Sequence, residues 1–278
     1  MRALNLGCGT RFHPDWENVD FSSASPCVRA YDLRKGIPYP DSSFDVVYHS
    51  HLLEHFPKQF APTFLRECHR VLKPGGLIRV AVPDLEKIVR LYIEALEKAA
   101  QGSAEWRDHY DWIMLEMYDQ TVREETCGEC AQYLRRDPIP NWDFVCTRWG
   151  LQAELLLDTV RKENRRSGNG SGRSSVAWRY VLENPWTVIR NKWFKAMLGR
   201  EDWEALQLGR FRRGGEIHMW MYDRYSMRRL LEQTQFTDIE PQTATESRVS
   251  NWKDYHLDSE PDGTIYKPDS LYMEGVKP

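Results

Sequence analysis

Three histidines follow one apolar run in the stretch FDVVYHSHLLEHF: His49, His51 and His55. Imidazole titrates near neutral pH, so a histidine placed beside a substrate can accept the proton of a hydroxyl or an amine. The end of the run should direct His49 or His51 into a ligand crevice, and we predict His51 as the general base. His218, in the stretch GEIHMWMYD, is the second candidate base. A structural role stays open for each, since a lone histidine is more often structural than catalytic.

A glycine pair, Gly7 and Gly9, ends the first apolar run in the stretch LNLGCGT. Glycine after a strand lets a ligand approach the backbone because no Cβ stands in the way, so Gly7, Cys8 and Gly9 are candidate ligand contacts. Dinucleotide-binding loops need a third glycine, and Phe12 occupies that position here. They also place an acidic residue about 20 positions further on, whereas Asp20 lies only eleven after Gly9. The pattern therefore disfavours a nicotinamide or flavin cofactor.

Acidic residues end the next two short runs, Asp20 in the second and Asp32 in the third. A carboxylate at the end of a second parallel strand can accept hydrogen bonds from both ribose hydroxyls of an adenosine that lies across the sheet. Asp32 is placed to accept from the adenine amino group, with Leu33 packing on the ring. The loop lacks the lysine that binds phosphates, so the pattern fits a cationic or neutral adenosine compound better than a phosphorylated one.

These residues need a sheet to position them, and strand patterns alternate with helical patterns over the first ninety residues. Strands are predicted over 3–6, 16–21, 28–33, 44–50 and 77–84, and again over 236–244 and 270–277. Helices are predicted over 61–76, after a cap at Asp84, and in YDRYSMRRLLEQTQ after a cap at Asp223, with Tyr222 packing beside it. Such alternation favours a parallel sheet with helices on its faces.

Residues 101–215 break the alternation, and eight of the eleven tryptophans fall between Trp106 and Trp203. We predict a helical insertion in an α/β domain formed by residues 1–100 and 216–278. Most of the tryptophans should form the core of the insertion, and one or two should line a substrate pocket. Residues 161–175 contain five basic residues, three glycines and no apolar side chain, which predicts a mobile surface loop.

Five elements occur in a telling order: LNLGCGT, VD at Asp20, FDVVYHSHLLEHF, RVLKPGG and LIRVAVPD. Together they resemble a class I S-adenosylmethionine-dependent methyltransferase of the type-11 branch, over about residues 3–90 and again near 216–278. The resemblance implies an α/β, Rossmann-like sheet of seven strands with the last one reversed, S-adenosylmethionine as cofactor, and a structural His55. The cofactor contacts that it implies are Gly7, Gly9, Asp20, Asp32, Leu33 and the surroundings of His49.

The resemblance also implies a function, methyl transfer. The last segment is similar to a bacterial subgroup associated with saccharide or secondary-metabolite loci, so we predict O-methylation of such a hydroxyl, with natural product biosynthesis as the setting. RNA or protein methylation, and a non-catalytic cofactor-binding protein, remain alternatives. Most such enzymes place a full helix where residues 10–15 leave room for about one turn. The pocket is therefore either more open than usual or closed by the insertion.

Bulk properties restrict location and partners. A net charge of −3 argues against electrostatic binding of nucleic acid by the protein as a whole. No apolar stretch approaches the length of a membrane span. We therefore predict a cytoplasmic enzyme with a small-molecule acceptor. We predict no metal. The motif CGEC, with a further cysteine and a histidine nearby, offers a zinc alternative that its irregular spacing disfavours; its residues are Cys127, Cys130, Cys146 and His109.

Overall fold

A mixed sheet of seven strands runs through the computed structural model, which describes residues 1–23, 25–168 and 185–278. The strands are β1 (Ala3–Leu6), β2 (Glu17–Asp20), β3 (Val28–Ala30), β4 (Phe44–Ser50), β5 (Leu72–Pro83), β6 (Thr237–Gln242) and β7 (Ser270–Val276). Their order across the sheet is β3-β2-β1-β4-β5-β7-β6, and β7 runs antiparallel to both of its neighbours. The predicted seven-stranded sheet with a reversed last strand is confirmed.

The strand order reverses between β1 and β4. From β1 the chain proceeds outward to β2 and β3, and it then returns to the other side of β1 as β4. In the parallel register Leu6 lies beside both Val19 of β2 and His49 of β4. A ligand binds outside the carboxyl ends of the strands at such a reversal, so this register defines where the site should lie.

Helices and caps hold the sheet in place. The helices in the described ranges are α1 (Ala61–Val71), α2 (Leu85–Ala100), α3 (Ala104–Val122), α4 (Gly128–Leu134), α5 (Trp142–Trp149), α6 (Leu151–Gly168), α7 (Pro185–Arg212, kinked at Gly199) and α8 (Arg224–Gln233). Asp84 caps α2 by accepting from the backbone of Glu86 and Lys87. Asp223 forms a capping box at the start of α8, and the neighbouring Tyr222 is buried in the sheet core. Both predicted caps are confirmed.

The most pronounced differences from the predicted bounds are in the first helix, the third strand and α6. The helix predicted over 61–76 ends at Val71, because the backbone is already extended at Leu72, two residues before Pro74, and β5 therefore begins there rather than at residue 77. The third strand ends at Ala30 rather than at residue 33, because the Asp32 carboxylate accepts from the backbone of Arg34 and caps a short 3-10 helix. The helix α6 continues to Gly168, into the range 161–175 for which a mobile loop is predicted, and the mobility of that range stays a prediction. Lysine, arginine and glutamate, which are frequent there, are good helix formers. The rest of the predicted loop, 169–175, lies outside the described residues.

The insertion has a hydrophobic core of its own. Trp112 and Trp149 are buried in it with their rings edge to face at 4.9 Å, and Ile113, Val145 and Leu134 pack around them. The buried side chains of α1 and α8 instead pack on the central strands in a separate cluster. The domain boundaries at residues 100 and 216 stay a prediction. The buried residues of the insertion core lie between these two boundaries, and those of the sheet core lie outside them.

A buried ion network fixes the segment between β6 and β7 to the sheet. The Arg79 guanidinium on β5 is fully buried, and it donates to Asp258 Oδ2 at 2.8 Å and to Glu274 Oε1 at 2.9 Å. Breaking a buried pair leaves an uncompensated charge, so the three side chains hold each other in place.

No helix in the described ranges combines the length and the apolar composition needed to cross a membrane.

Candidate functional site

The glycine loop after β1 is tied to the end of β2. Gly7 and Gly9 have φ angles of +65° and +53°, which favour glycine. The Gly9 N–H donates to Asp20 Oδ2 at 2.9 Å, and the Gly7 N–H donates to the Val19 carbonyl at 2.8 Å. A Cβ on Gly9 would meet nothing within 4 Å, so the backbone there is open to a ligand.

A cavity of about 190 Å³ lies beside this loop, at the carboxyl ends of β1 and β4. Four of its lining residues were predicted to form the site: Gly7, Cys8, Gly9 and His51. Burial and the Asp20 carboxylate raise the pKa of the Cys8 thiol to about 12, so Cys8 stays neutral and offers the ligand its backbone rather than a thiolate.

Sequence reasoning missed the residues that cover the cavity. Arg11 donates to Glu260 at 2.6 Å and to the carbonyls of Leu257 and His256, so the segment before β7 is fastened over the glycine loop. Lys267 lines the cavity, and burial lowers the pKa of its amine. Almost 250 positions separate Arg11 from its partners, so no local spacing could have indicated these contacts.

The two acidic strand ends have different surroundings. Asp20 does not line the cavity, but it holds Gly9, which does. Asp32 accepts from the Arg34 side chain through Nε at 2.8 Å and Nη2 at 3.0 Å, and these bonds lower the pKa of its carboxyl. Leu33 is buried in the sheet core. The predicted contacts of Asp32 and Leu33 with adenine stay predictions, and Arg34 already occupies part of the Asp32 carboxylate.

His49 and His51 lie in different places. His49 is fully buried, packs edge-on against Phe64 and does not line the cavity; burial lowers its pKa to about 4. His51 lies on the cavity wall with a φ of +50°. Of the two, the structure brings His51 to the cavity.

His51 lies between a buried carboxylate and a serine. Its Nδ1 is 3.2 Å from Glu54 Oε1, and its Nε2 is 2.8 Å from Ser270 Oγ. The Glu54 contact is a close electrostatic one rather than a well-directed hydrogen bond. A carboxylate at this distance favours the tautomer with its proton on Nδ1, which leaves the Nε2 lone pair to accept a proton.

Two more histidines converge on the same carboxylate. His218 Nε2 lies 4.0 Å from Glu54 Oε1, and the rings of His218 and His55 meet edge to face with centroids 4.9 Å apart. Burial lowers the pKa of His218 to about 3. His218 does not line the cavity. Glu54 was missed as a site residue, although the Leu-Glu-His element after β4 contains it.

Comparison with known proteins agrees with this geometry. Residues 16–80, from the start of β2 into β5, match the family model described as "Methyltransferase domain". Over these residues the chain is similar to that family, and its strand order is that of a class I methyltransferase fold. S-adenosylmethionine is the cofactor that this similarity implies, and the open glycine backbone, Asp20 and the adjoining cavity are features into which its adenosine and amino-acid parts can fit.

Relatives of the methyltransferase domain include two bacterial proteins. A probable S-adenosylmethionine-dependent methyltransferase of Mycolicibacterium smegmatis is 35% identical over 98 residues, which cover 29% of this chain and 37% of that protein. The 27-O-demethylrifamycin SV methyltransferase of Amycolatopsis mediterranei is 29% identical over 131 residues, 43% of each chain. The chain therefore spans less than half the length of either relative. A SAM-dependent methyltransferase structure from Archaeoglobus fulgidus, 12% identical over 99% of this chain and 86% of that one, gives a TM-score of 0.38, too low to carry an argument.

In the described ranges, no residue of the insertion lines the cavity beside the glycine loop. Trp112 and Trp149 are in the core of the insertion, as predicted for most of the tryptophans, whereas Trp186 and Trp193 are 81% and 57% exposed. Trp178 lies outside the described residues. A tryptophan that lines the substrate pocket stays a prediction.

The cysteines of CGEC are not part of a metal-binding arrangement in the described ranges. Cys130 is fully buried, and burial raises the pKa of its thiol. His109 stacks on Phe144 with ring centroids 3.9 Å apart. The group of histidine, cysteine or carboxylate side chains that could hold an ion in these ranges is instead Glu54, His55 and His218, whose ligand atoms lie within 4.8 Å of one another.

Proposed function

We propose that the protein transfers the methyl group of S-adenosylmethionine to a hydroxyl oxygen of a small molecule, a saccharide or a secondary metabolite. The observation that carries this proposal is the hydrogen bond from the Gly9 N–H to Asp20, at the strand-order reversal and beside a cavity that includes His51. The relative from Amycolatopsis mediterranei, whose name refers to a 27-O position, supports an oxygen acceptor on a small molecule.

The donor site is proposed from the loop and the strand ends. Gly7, Cys8 and Gly9 are assigned to the donor through their backbone, and Asp20 is assigned to the ribose hydroxyls, which is supported by its hydrogen bond with Gly9 next to the cavity. Asp32 and Leu33 are proposed on the adenine side. The Lys267 amine in the cavity wall suits the carboxylate of an amino acid, since opposite charges attract strongly where solvent is excluded.

The reaction depends mainly on positioning. The donor, when bound, supplies a methyl group on a positive sulfur that an oxygen can displace in line. Holding the two reactants aligned can contribute about 7–11 kcal/mol, whereas a general base adds about 10²–10⁴-fold in rate. His51 Nε2 accepts the hydroxyl proton as the oxygen–carbon bond forms and the carbon–sulfur bond breaks, and it exchanges its present hydrogen bond with Ser270 Oγ for one with the acceptor. Glu54 favours the tautomer that leaves this nitrogen unprotonated.

Donor binding tests the proposed site. Asp20→Asn keeps the size of the side chain but removes the charge that holds Gly9, so calorimetry should show binding of S-adenosylmethionine weakened by at least about tenfold. Asp15→Asn is the control, because its side chain is 85% exposed on the neighbouring loop. Unchanged affinity in Asp20→Asn contradicts the ribose assignment. A folded wild-type protein that binds neither the donor nor its demethylated product contradicts the whole proposal.

Label transfer tests the acceptor. The protein is incubated with donor labelled on the methyl group and with separated small-molecule, RNA and protein fractions of a bacterial extract. We expect label in a small-molecule fraction, and His51→Asn should lower kcat while leaving donor affinity unchanged. Label in RNA or protein supports the alternative classes of substrate, and tight donor binding without any transfer supports a non-catalytic protein.

A further inference from the structure

We propose that Glu54, His55 and His218 form a binding site for a divalent transition-metal ion, and that zinc suits them best. Two imidazoles and one carboxylate are a ligand set that zinc accepts in proteins, with one position left for water or substrate. This proposal goes beyond the proposed function and does not depend on it. From the sequence we assigned no metal ligands.

The spacing of the three side chains is close to that of a bound ion. Their ligand atoms lie within 4.8 Å of one another, and His218 Nε2 is 4.0 Å from Glu54 Oε1. Zinc bonds to nitrogen and oxygen of about 2.0–2.2 Å, in tetrahedral geometry, place neighbouring ligand atoms about 3.5 Å apart. Side-chain rotations that move these atoms by about 1 Å therefore complete the site without moving the backbone.

His55 is already oriented as a ligand. Its Nδ1 lies 3.0 Å from the Ile217 carbonyl, which can only accept, so Nδ1 carries the proton. In the neutral ring Nε2 then holds the lone pair, so the proposal requires this nitrogen to be the ligand atom of His55. Histidine ligands in proteins usually donate their other ring nitrogen to a carbonyl or a carboxylate in this way, which fixes both the tautomer and the ring orientation.

Glu54 is a buried carboxylate that needs a cation. Its side chain is fully buried, and in the described ranges it has no well-directed hydrogen bond, only the contact of Oε1 with His51 Nδ1 at 3.2 Å and the longer one with His218 Nε2 at 4.0 Å. An ionised carboxylate removed from water without such bonds is costly, and a coordinated cation removes that cost. The chain brings His218 here because its backbone N–H donates to the Gln120 carbonyl, while the Met219 N–H donates to the Glu54 carbonyl.

The ion would lie one side chain away from the cavity. His51, which lines the cavity, contacts the same Glu54 oxygen to which His218 is nearest. A metal at Glu54 therefore fixes the carboxylate against which His51 rests. The site joins the end of β4 to the residues where the insertion rejoins the sheet.

Metal titration tests the site directly. Metal-stripped protein, without methyl donor, is titrated with Zn²⁺ by calorimetry and with Co²⁺ while its visible absorption is recorded. We expect one ion per chain and a Co²⁺ spectrum of low coordination number. Glu54→Gln and His218→Gln should weaken Zn²⁺ binding by at least tenfold, since even an outer partner of a ligand typically changes affinity by about 10–100-fold. His13→Gln is the control, because His13 lies on the loop before β2 and is absent from the metal-binding group.

Two further measurements keep the result unambiguous. Zn²⁺ should raise the unfolding temperature of the wild type and of His13→Gln but not of His218→Gln, so the test survives a failure of Glu54→Gln to fold. Cys127→Ser with Cys130→Ser should leave Zn²⁺ binding unchanged. The proposal is overturned if the wild type binds no ion, if His55→Gln and His218→Gln bind as well as the wild type, or if the cysteine variant loses binding. Because no donor is present, failure of the methyltransferase proposal does not affect these outcomes.

Discussion

Two histidines that are two positions apart, at the end of β4, have opposite surroundings. His49 is still within the strand and points into the sheet core beside Phe64. His51 comes after the strand with a φ of +50°, which turns its side chain to the cavity wall. From the sequence we predicted that His49 or His51 would face the ligand. The choice between them depends on the backbone turn at His51, which the strand pattern does not reveal. Only the backbone conformation at His51 separates a core side chain from a candidate base.

The buried His49 predicts a loss of stability in mild acid. Its pKa is about 4 in the folded protein and about 6.5 in the unfolded chain, so the unfolded state takes up the proton first as pH falls below about 6.5. Stability is therefore fully present at pH 7.5 and decreases toward pH 4, by about 2 kcal/mol at pH 5. His49→Leu removes the titrating imidazole. Between pH 7.5 and pH 5, urea unfolding should therefore show that the free energy of unfolding falls by about 2 kcal/mol more in the wild type than in the variant.

Other buried histidines also lose stability in acid. His69, His109 and His218 have lowered pKa values too, but they remain in both proteins and cancel in the comparison. Equal losses in wild type and variant between pH 7.5 and pH 5 would show that His49 is protonated in the folded state or lies open to water.

Elements whose determinants are local could be predicted from the sequence. The bounds predicted for β1 and β4 are confirmed, and so are the caps at Asp84 and Asp223, because apolar runs and capping side chains act within a few residues. The third strand is shorter than predicted, because its own Asp32 caps a turn that a strand pattern does not reveal. The cover formed by Arg11 and the cluster at Glu54 depend on segments that meet only in the folded chain.

The glycine loop yields a prediction at this scale. Gly9→Ala adds a methyl group where no atom lies within 4 Å, at a φ of +53°. The left-handed backbone should cost about 1–2 kcal/mol of stability, and the methyl group should obstruct the donor and weaken its binding by at least about tenfold. Chemical unfolding and calorimetry measure the two effects.

Gly102→Ala is the matched control for this loop. Gly102 has a φ of +95° with nothing within 4 Å of its added Cβ, and it follows α2 away from the cavity. It should lose similar stability and keep full affinity for the donor. If both variants bind the donor equally well, the backbone at Gly9 does not face it.

Two of the hydrophobic cores in the described residues belong to the sheet and to the insertion, and apolar as well as polar contacts join these parts, since Leu91 and Tyr92 of α2 pack on the insertion core. One core lies under the sheet and the other inside the insertion. Where the insertion rejoins the sheet, Arg123 bridges Asp119 and Glu216, and the His218 N–H donates to the Gln120 carbonyl. This connection lies beside Glu54 rather than beside the glycine loop. The insertion therefore meets the sheet near Glu54, whereas the cavity beside the glycine loop is lined by the remainder of the described chain.

Disruption of the insertion core should therefore leave donor binding intact. Trp112→Ala removes a fully buried ring from that core and should cost about 3–5 kcal/mol, measured by chemical unfolding. Trp186→Ala, at a position 81% exposed, should change stability by no more than about 0.5 kcal/mol. Calorimetry at low temperature, where both variants remain folded, should give donor affinities within about twofold of the wild type. A tenfold weaker affinity in folded Trp112→Ala would mean that the insertion shapes the donor site, so that the two cores act as one unit.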